Sequence, residues 1–165
     1  MVIDNLLTNQ EILILKNLAQ SATQSQGGGA GGASIFELYS SVTSMGEKFI
    51  SLFAMRNQAS KAGDFETLQQ IESIYSAENL ETYTNARKKV QNAIGEMFGL
   101  DSNLLHLAQP TFFSRLTNKD AATPHDEYWH RHIDTNQYQT FDYTALIYLN
   151  NQRNVSILSL IIRLH

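Results

Sequence analysis

The chain has no cysteine among its 165 residues. That excludes a disulfide framework and any thiolate-bound zinc site. It leaves the compartment open, because a cysteine-free protein suits the cytosol and the secretory pathway alike. No run reaches the roughly 18 to 20 apolar residues of a membrane span, and the start lacks a basic segment followed by an apolar one. No targeting or membrane segment is therefore expected. Basic charge is also short, with 12 Lys and Arg against 16 Asp and Glu, a net charge of -4 and a pI near 5.7. Without a basic face for phosphate backbones, nucleic acid is not expected as a partner. No internal repeat and no heptad run is visible.

What remains is 42% hydrophobic and 17% charged, a composition that fits one globular domain with a sizeable core. The first half reads as mainly helical. "VIDNLL", residues 2–7, reads as a short strand. Thr8 to Glu11 then has the capping-box pattern of a helix start, and Ile12, Leu15, Leu18 and Ala19 supply one apolar face. "QGGGAGGAS", residues 26–34, holds five of the nine glycines. It reads as a plain loop, since no Lys follows at the spacing of a phosphate-binding loop. Residues 36–75 carry amphipathic stretches separated by "KAGD". Tyr83, Ala86, Val90, Ile94 and Met97 recur at helical spacing, and Gly99 stands where a C-terminal cap belongs. This stripe reads as core.

After Asp101 the pattern changes. "LLHLAQ" and "PTFFSRL" are short apolar runs divided by Pro110, and "FDYTALIYL" is rich in β-branched and aromatic residues. Helices followed by strands predict an α+β arrangement, with helices against one face of an antiparallel sheet.

The chemistry is concentrated in "HDEYWHRHIDTNQYQTFDYTALIYLN", residues 125–150, which holds three of the five histidines. His132 and Asp134 are two apart, so on an extended strand both share one side. Neutral imidazole and carboxylate suit ferrous iron, and two His with one carboxylate on one octahedral face leave positions open for substrates. The pair by itself could equally be a surface His beside a solvated Asp. His130-Arg131-His132 has the H-x-H form of a cupin, but Asn136 and Gln137 stand where that motif wants Glu. A zinc site of His125, His130 and His132 is chemically open, with His130 otherwise a packing residue near the site. Tyr128 and Trp129 read as barrel-wall aromatics.

"HDEYWHRHID" followed by "FDYTALIYLN" closely resembles the first metal-binding strand and the next strand of the Fe(II)/2-oxoglutarate-dependent dioxygenases, nearest to their prolyl 4-hydroxylase branch. "VIDNLLTNQEILIL" is similar to that branch's opening strand and helix, so the resemblance covers residues 2 to about 150. It implies His132 and Asp134 as iron ligands. It also implies Tyr148 as a hydrogen-bond partner of the distal carboxylate of 2-oxoglutarate, although Tyr148 could equally be a core tyrosine bonded to backbone. By strand alternation Thr144, Leu146 and Tyr148 share one face, and Tyr143, Ala145, Ile147 and Leu149 the other. The implied cofactors are Fe(II), 2-oxoglutarate and ascorbate, the last keeping the iron ferrous. The implied reaction is hydroxylation of a protein or peptide by dioxygen, coupled to oxidative decarboxylation of 2-oxoglutarate to succinate and carbon dioxide.

The family's fold is an eight-stranded jelly roll whose distal His and basic 2-oxoglutarate-binding residue come late. Only the 31 residues from Thr135 to His165 follow Asp134, where six more strands and their connections need roughly 50. Taking His165 as the distal ligand would put Arg163 before it, whereas the family places the basic residue after the histidine. The expected fold is thus α+β, N-terminal helices packed on an incomplete double-stranded β-helix (jelly roll). Residues 1–150 are expected to form the N-terminal and central part of one dioxygenase domain, and 151–165 a divergent tail. Two functions follow: a dioxygenase, or a catalytically incomplete interaction or regulatory fragment. The tail run "SILSLIIRL" has strong β-propensity and a single charge, and with no partner strands in view it predicts self-association through an exposed sheet edge. The resemblance implies membrane-anchored or secretory-pathway full-length forms.

Overall fold

The computed structural model describes residues 2–24, 34–45, 48–117, 142–150 and 156–164. The glycine-rich stretch, apart from Ser34, lies outside them.

The chain opens with a correction. Residues 2–7 form a turn rather than a strand, with Asn5 at φ 60°. A strand needs a partner for its backbone groups, and here Leu6 and Leu7 fold against the core instead. Helix α1 (Asn9–Gln24) follows, capped as its sequence predicts. The Thr8 N–H donates to Glu11 Oε2 at 2.8 Å, and the Glu11 N–H donates to Thr8 Oγ1 at 3.2 Å. Leu15, Leu18 and Ala19 are buried, so the apolar face is where the 3.6-residue period places it.

Residues 36–75, read as amphipathic stretches, contain three short strands and two helices: β1 (Ser34–Glu37), β2 (Val42–Met45), β3 (Lys48–Ser51), α2 (Leu52–Ala62) and α3 (Phe65–Ile74). The break at "KAGD" is real. Gly63 takes the left-handed conformation at φ 71°, and Asp64 caps α3 by accepting from the Thr67 N–H at 3.0 Å. Helix α4 (Ala77–Phe98) starts on Ser76, whose hydroxyl accepts from the Asn79 N–H at 3.2 Å, and ends on Gly99 at φ 66°. Its predicted stripe is core: Tyr83, Ala86, Val90 and Ile94 are buried. Among the described residues no helix is long and apolar enough to cross a membrane.

A 3-10 turn (Ser102–Leu104) leads into β4 (Leu107–Thr117). Pro110, read as a divider between two apolar runs, lies inside this one strand. The pairing with the neighbouring strand shifts register between Ala108 and Phe112; proline lacks the N–H that a regular ladder needs, so a strand accommodates it at such an irregularity. Strands β5 (Tyr143–Tyr148) and β6 (Ser156–Leu164) complete a six-stranded sheet of order β3-β2-β1-β4-β6-β5, antiparallel at every pairing. The mixed helix-and-sheet architecture agrees with the predicted class. All the described strands belong to this one sheet, so they do not form the two layers of a jelly roll.

Strand β6 departs most from expectation. Its composition predicts an unpartnered, association-prone run, yet it lies between β4 and β5, pairs with both, and buries Leu160, Ile162 and Leu164 completely. These three pack in one cluster with Phe36 and Phe113 from the sheet and with Leu15, Leu18, Tyr83 and Val90 from α1 and α4. Phe36 stacks on Phe113 at 6.0 Å between ring centroids, and Tyr83 meets Phe113 at 5.8 Å. On the far side of the helical layer, Lys89 Nζ of α4 bonds both carboxylate oxygens of Glu11 at 2.8 Å, tying α4 to the cap of α1.

Candidate functional site

Strand β5 directly follows the histidine-rich segment, its first residue nine positions beyond Asp134. Two contacts anchor its start. The Tyr143 ring packs on Phe98, the last residue of α4, at 5.0 Å, and the Asp142 N–H donates to the Leu164 carbonyl at 3.1 Å. From there the strand alternates strictly. Tyr143, Ala145 and Ile147 pack against the helix-covered core, and Leu149 is buried in it. Thr144, Leu146 and Tyr148 are exposed on the opposite face, which none of the described helices covers. This is the division that the alternation predicts, and it follows from the pleat, which sends successive side chains to opposite faces.

Tyr148 is therefore not a core tyrosine. It is 48% exposed, and Leu146 on the same face of this edge strand is 49% exposed. On the neighbouring strand, Thr144, Leu146 and Tyr148 stand opposite Arg163, Ile161 and Ser159 in register. Of the sequence-predicted site residues, the structure thus places Tyr148. His132 and Asp134 lie outside the described residues, as do His125, Tyr128, Trp129 and His130. Among the described residues no group of three or more His, Cys, Asp or Glu comes together as a metal site.

Among the described residues, the perturbed titrating groups belong to other elements than β5. Burial pushes the Tyr83 phenol strongly up, the mark of a core hydroxyl, and burial likewise raises Tyr75. The Lys89 ammonium, followed by the Thr8 N–H, holds the Glu11 carboxyl below its usual range. Sequence reading missed one charged arrangement. The Arg87 guanidinium stacks over Tyr39 at 4.9 Å and Tyr83 at 5.6 Å. The four-residue step from Tyr83 to Arg87 was visible on α4, but Tyr39 comes from the turn after β1, which no local pattern joins to it.

Over 150 residues the chain is 41% identical to the human protein named 2-oxoglutarate and iron-dependent oxygenase domain-containing protein 3, a match covering 91% of this chain and 43% of the human one. Its relatives are named as oxygenases. The mouse protein of the same name is 41% identical and the Xenopus tropicalis one 40%, each over 91% of this chain and 44% of its own length. The chain thus spans less than half the length of these curated relatives. Their names indicate a 2-oxoglutarate and iron-dependent oxygenase family. No family model and no solved structure matches the chain.

Proposed function

We propose that this chain is part of a prolyl 4-hydroxylase-like Fe(II)/2-oxoglutarate-dependent dioxygenase that hydroxylates a protein or peptide, with residues 1–150 as the N-terminal and central part of its jelly roll and the divergent residues 151–165 adding strand β6 to the same sheet. One structural observation supports the reading: Tyr148 is exposed on the face of β5 that none of the described helices covers, in a chain 41% identical to relatives named as 2-oxoglutarate and iron-dependent oxygenases.

The donor set fits ferrous iron. A neutral imidazole from His132 and a carboxylate from Asp134 are the borderline-to-hard ligands that such an iron takes, and they leave coordination positions open. When bound, iron would let dioxygen act as the oxidant, one oxygen atom going to the hydroxylated C–H carbon and the other to 2-oxoglutarate, which would leave as succinate and carbon dioxide. The residues of the chain hold and orient. Tyr148 would offer a phenol donor to the distal carboxylate of 2-oxoglutarate from a strand whose other face packs on the core. Leu146, on the same face, helps exclude water there. Ascorbate would be the reductant that keeps such an iron ferrous.

Metal titration tests the reading. His132→Ala and Asp134→Ala should each weaken Fe(II) or Mn(II) binding by about tenfold or more, on the scale by which even outer-shell changes alter metal affinity. His125→Ala should do much less. Equal losses for all three would replace the reading with a histidine-cluster zinc site. Iron-dependent succinate release then separates a working oxygenase from a non-catalytic interaction fragment.

A further inference from the structure

Strand β6 is the last described element, and it fills a slot between two strands that precede it. β4 and β5 both run antiparallel to β6, so without it each presents a row of unpaired backbone groups to the other. The gap is two strand spacings wide, about 10 Å, and only an extended segment can close it. The occupant must also put an apolar residue at every second position, because Leu160, Ile162 and Leu164 are the fully buried ones. The slot therefore selects for backbone pairing and alternation, and the segment that meets both demands is residues 156–164 themselves.

We propose that β6 is exchangeable between copies of this chain, so that its association partner is a second copy and the contact is strand insertion. In the chain, β6 follows β5 through residues 149–155. Every ladder and core contact made by an inserted β6 is the same whether the strand belongs to its own chain or to a partner, which is what makes such swapping a low-cost route to dimers. The competing route, sheet-edge pairing along the outer side of β5, satisfies β6-like sequences on one side only and buries none of these three residues. Two-sided insertion therefore wins over edge stacking. The tether keeps its own strand at an effective concentration on the order of millimolar, so exchange is expected when chains fold together at high concentration.

The absence of cysteine makes the test clean. Ser114 and Ser159 are register partners across β4 and β6. Full-length Ser114→Cys and Ser159→Cys single variants are unfolded, mixed, refolded together at high concentration and oxidised. Exchange predicts a disulfide heterodimer well above the excess that random pairing of two thiols gives, and its loss when the two are refolded separately and then mixed. Heterodimer at the random level overturns the proposal, even if light scattering shows a dimer, because edge pairing then accounts for it. The Ser114→Cys/Ser159→Cys double variant must close within one chain when refolded dilute; failure removes the register on which the slot rests. Thr144→Cys with Arg163→Cys, opposed across β5 and β6, repeats the test at a site whose β5 member is exposed.

Discussion

Deleting residues 151–165 sets the composition of the tail against its place in the sheet. Taken alone, an apolar run with one charge predicts that its removal raises the monomer fraction and leaves the rest folded. The structure predicts the opposite. Leu160, Ile162 and Leu164 are fully buried, and truncating one such side chain to Ala typically costs about 2–5 kcal/mol. A domain of this size has only about 5–15 kcal/mol of stability in all. Losing three of them, together with the ladders to β4 and β5, exceeds that margin, so the 1–150 chain should be unfolded or aggregated. Graded variants measure the effect without destroying the fold. Leu160→Ala should lower stability by about 2–5 kcal/mol and Ile162→Val by about 0.5–1.5 kcal/mol. Leu146→Ala, on the exposed face of β5, should cost well under either. Urea unfolding followed by circular dichroism gives the midpoints, and light scattering gives the association state. A 1–150 chain that unfolds cooperatively at the full-length midpoint, with more monomer, would show that β6 is peripheral and refute the argument.

Glu11 and Lys89 should show a pH signature. The folded-state carboxyl lies below its ordinary value of 4.5, so its stabilisation is fully present above that value and is lost as pH falls through the folded one. Lys89 is 38% exposed, which limits the pair to about 0.5–1 kcal/mol; Lys89→Met should remove that much at neutral pH and little in acid, by urea midpoints on both sides of pH 4.5. Gly95→Ala should destabilise by about 1 kcal/mol despite better helix propensity, because the added carbon would lie 3.0 Å from Ser102 Cβ and 3.1 Å from the Leu100 carbonyl; a stabilised variant would mean that the turn after α4 gives way freely. Gly99→Ala meets no atom within 4 Å and should cost about 1 kcal/mol through its left-handed backbone alone, with Gly99→Asn costing less; equal losses would point to a packing cause. Tyr148→Phe should leave the unfolding midpoint within about 0.5 kcal/mol, as expected of an exposed position, while weakening 2-oxoglutarate binding in a calorimetric titration; an unchanged affinity would remove Tyr148 from the site.

The sequence by itself determined the elements whose signals are local. Thr8 with Glu11, Asp64, Gly63 and Gly99 mark helix ends because capping involves residues within one turn of each other. The stripe from Tyr83 to Ile94 and the alternation from Tyr143 to Leu149 show their buried sides because one face of a helix or strand must leave water. The His132-x-Asp134 pair is a reading of the sequence alone, since both residues lie outside the described residues. The tertiary structure decided the rest. Residues 2–7 have strand-like composition but find no strand to pair with, and β1 to β3 are too short for four residues to establish a period. Pro110 is tolerated within β4 because the register with β6 shifts around it. Above all, a nine-residue apolar run is a liability or a central strand depending on whether two backbone edges wait for it. That question is settled by strands up to 57 positions away, the separation of the Leu107 and Leu164 partners. Alternation divides β5 into two sides, and the packing of the described helices against one of them decides which side is buried and leaves Tyr148 on the other.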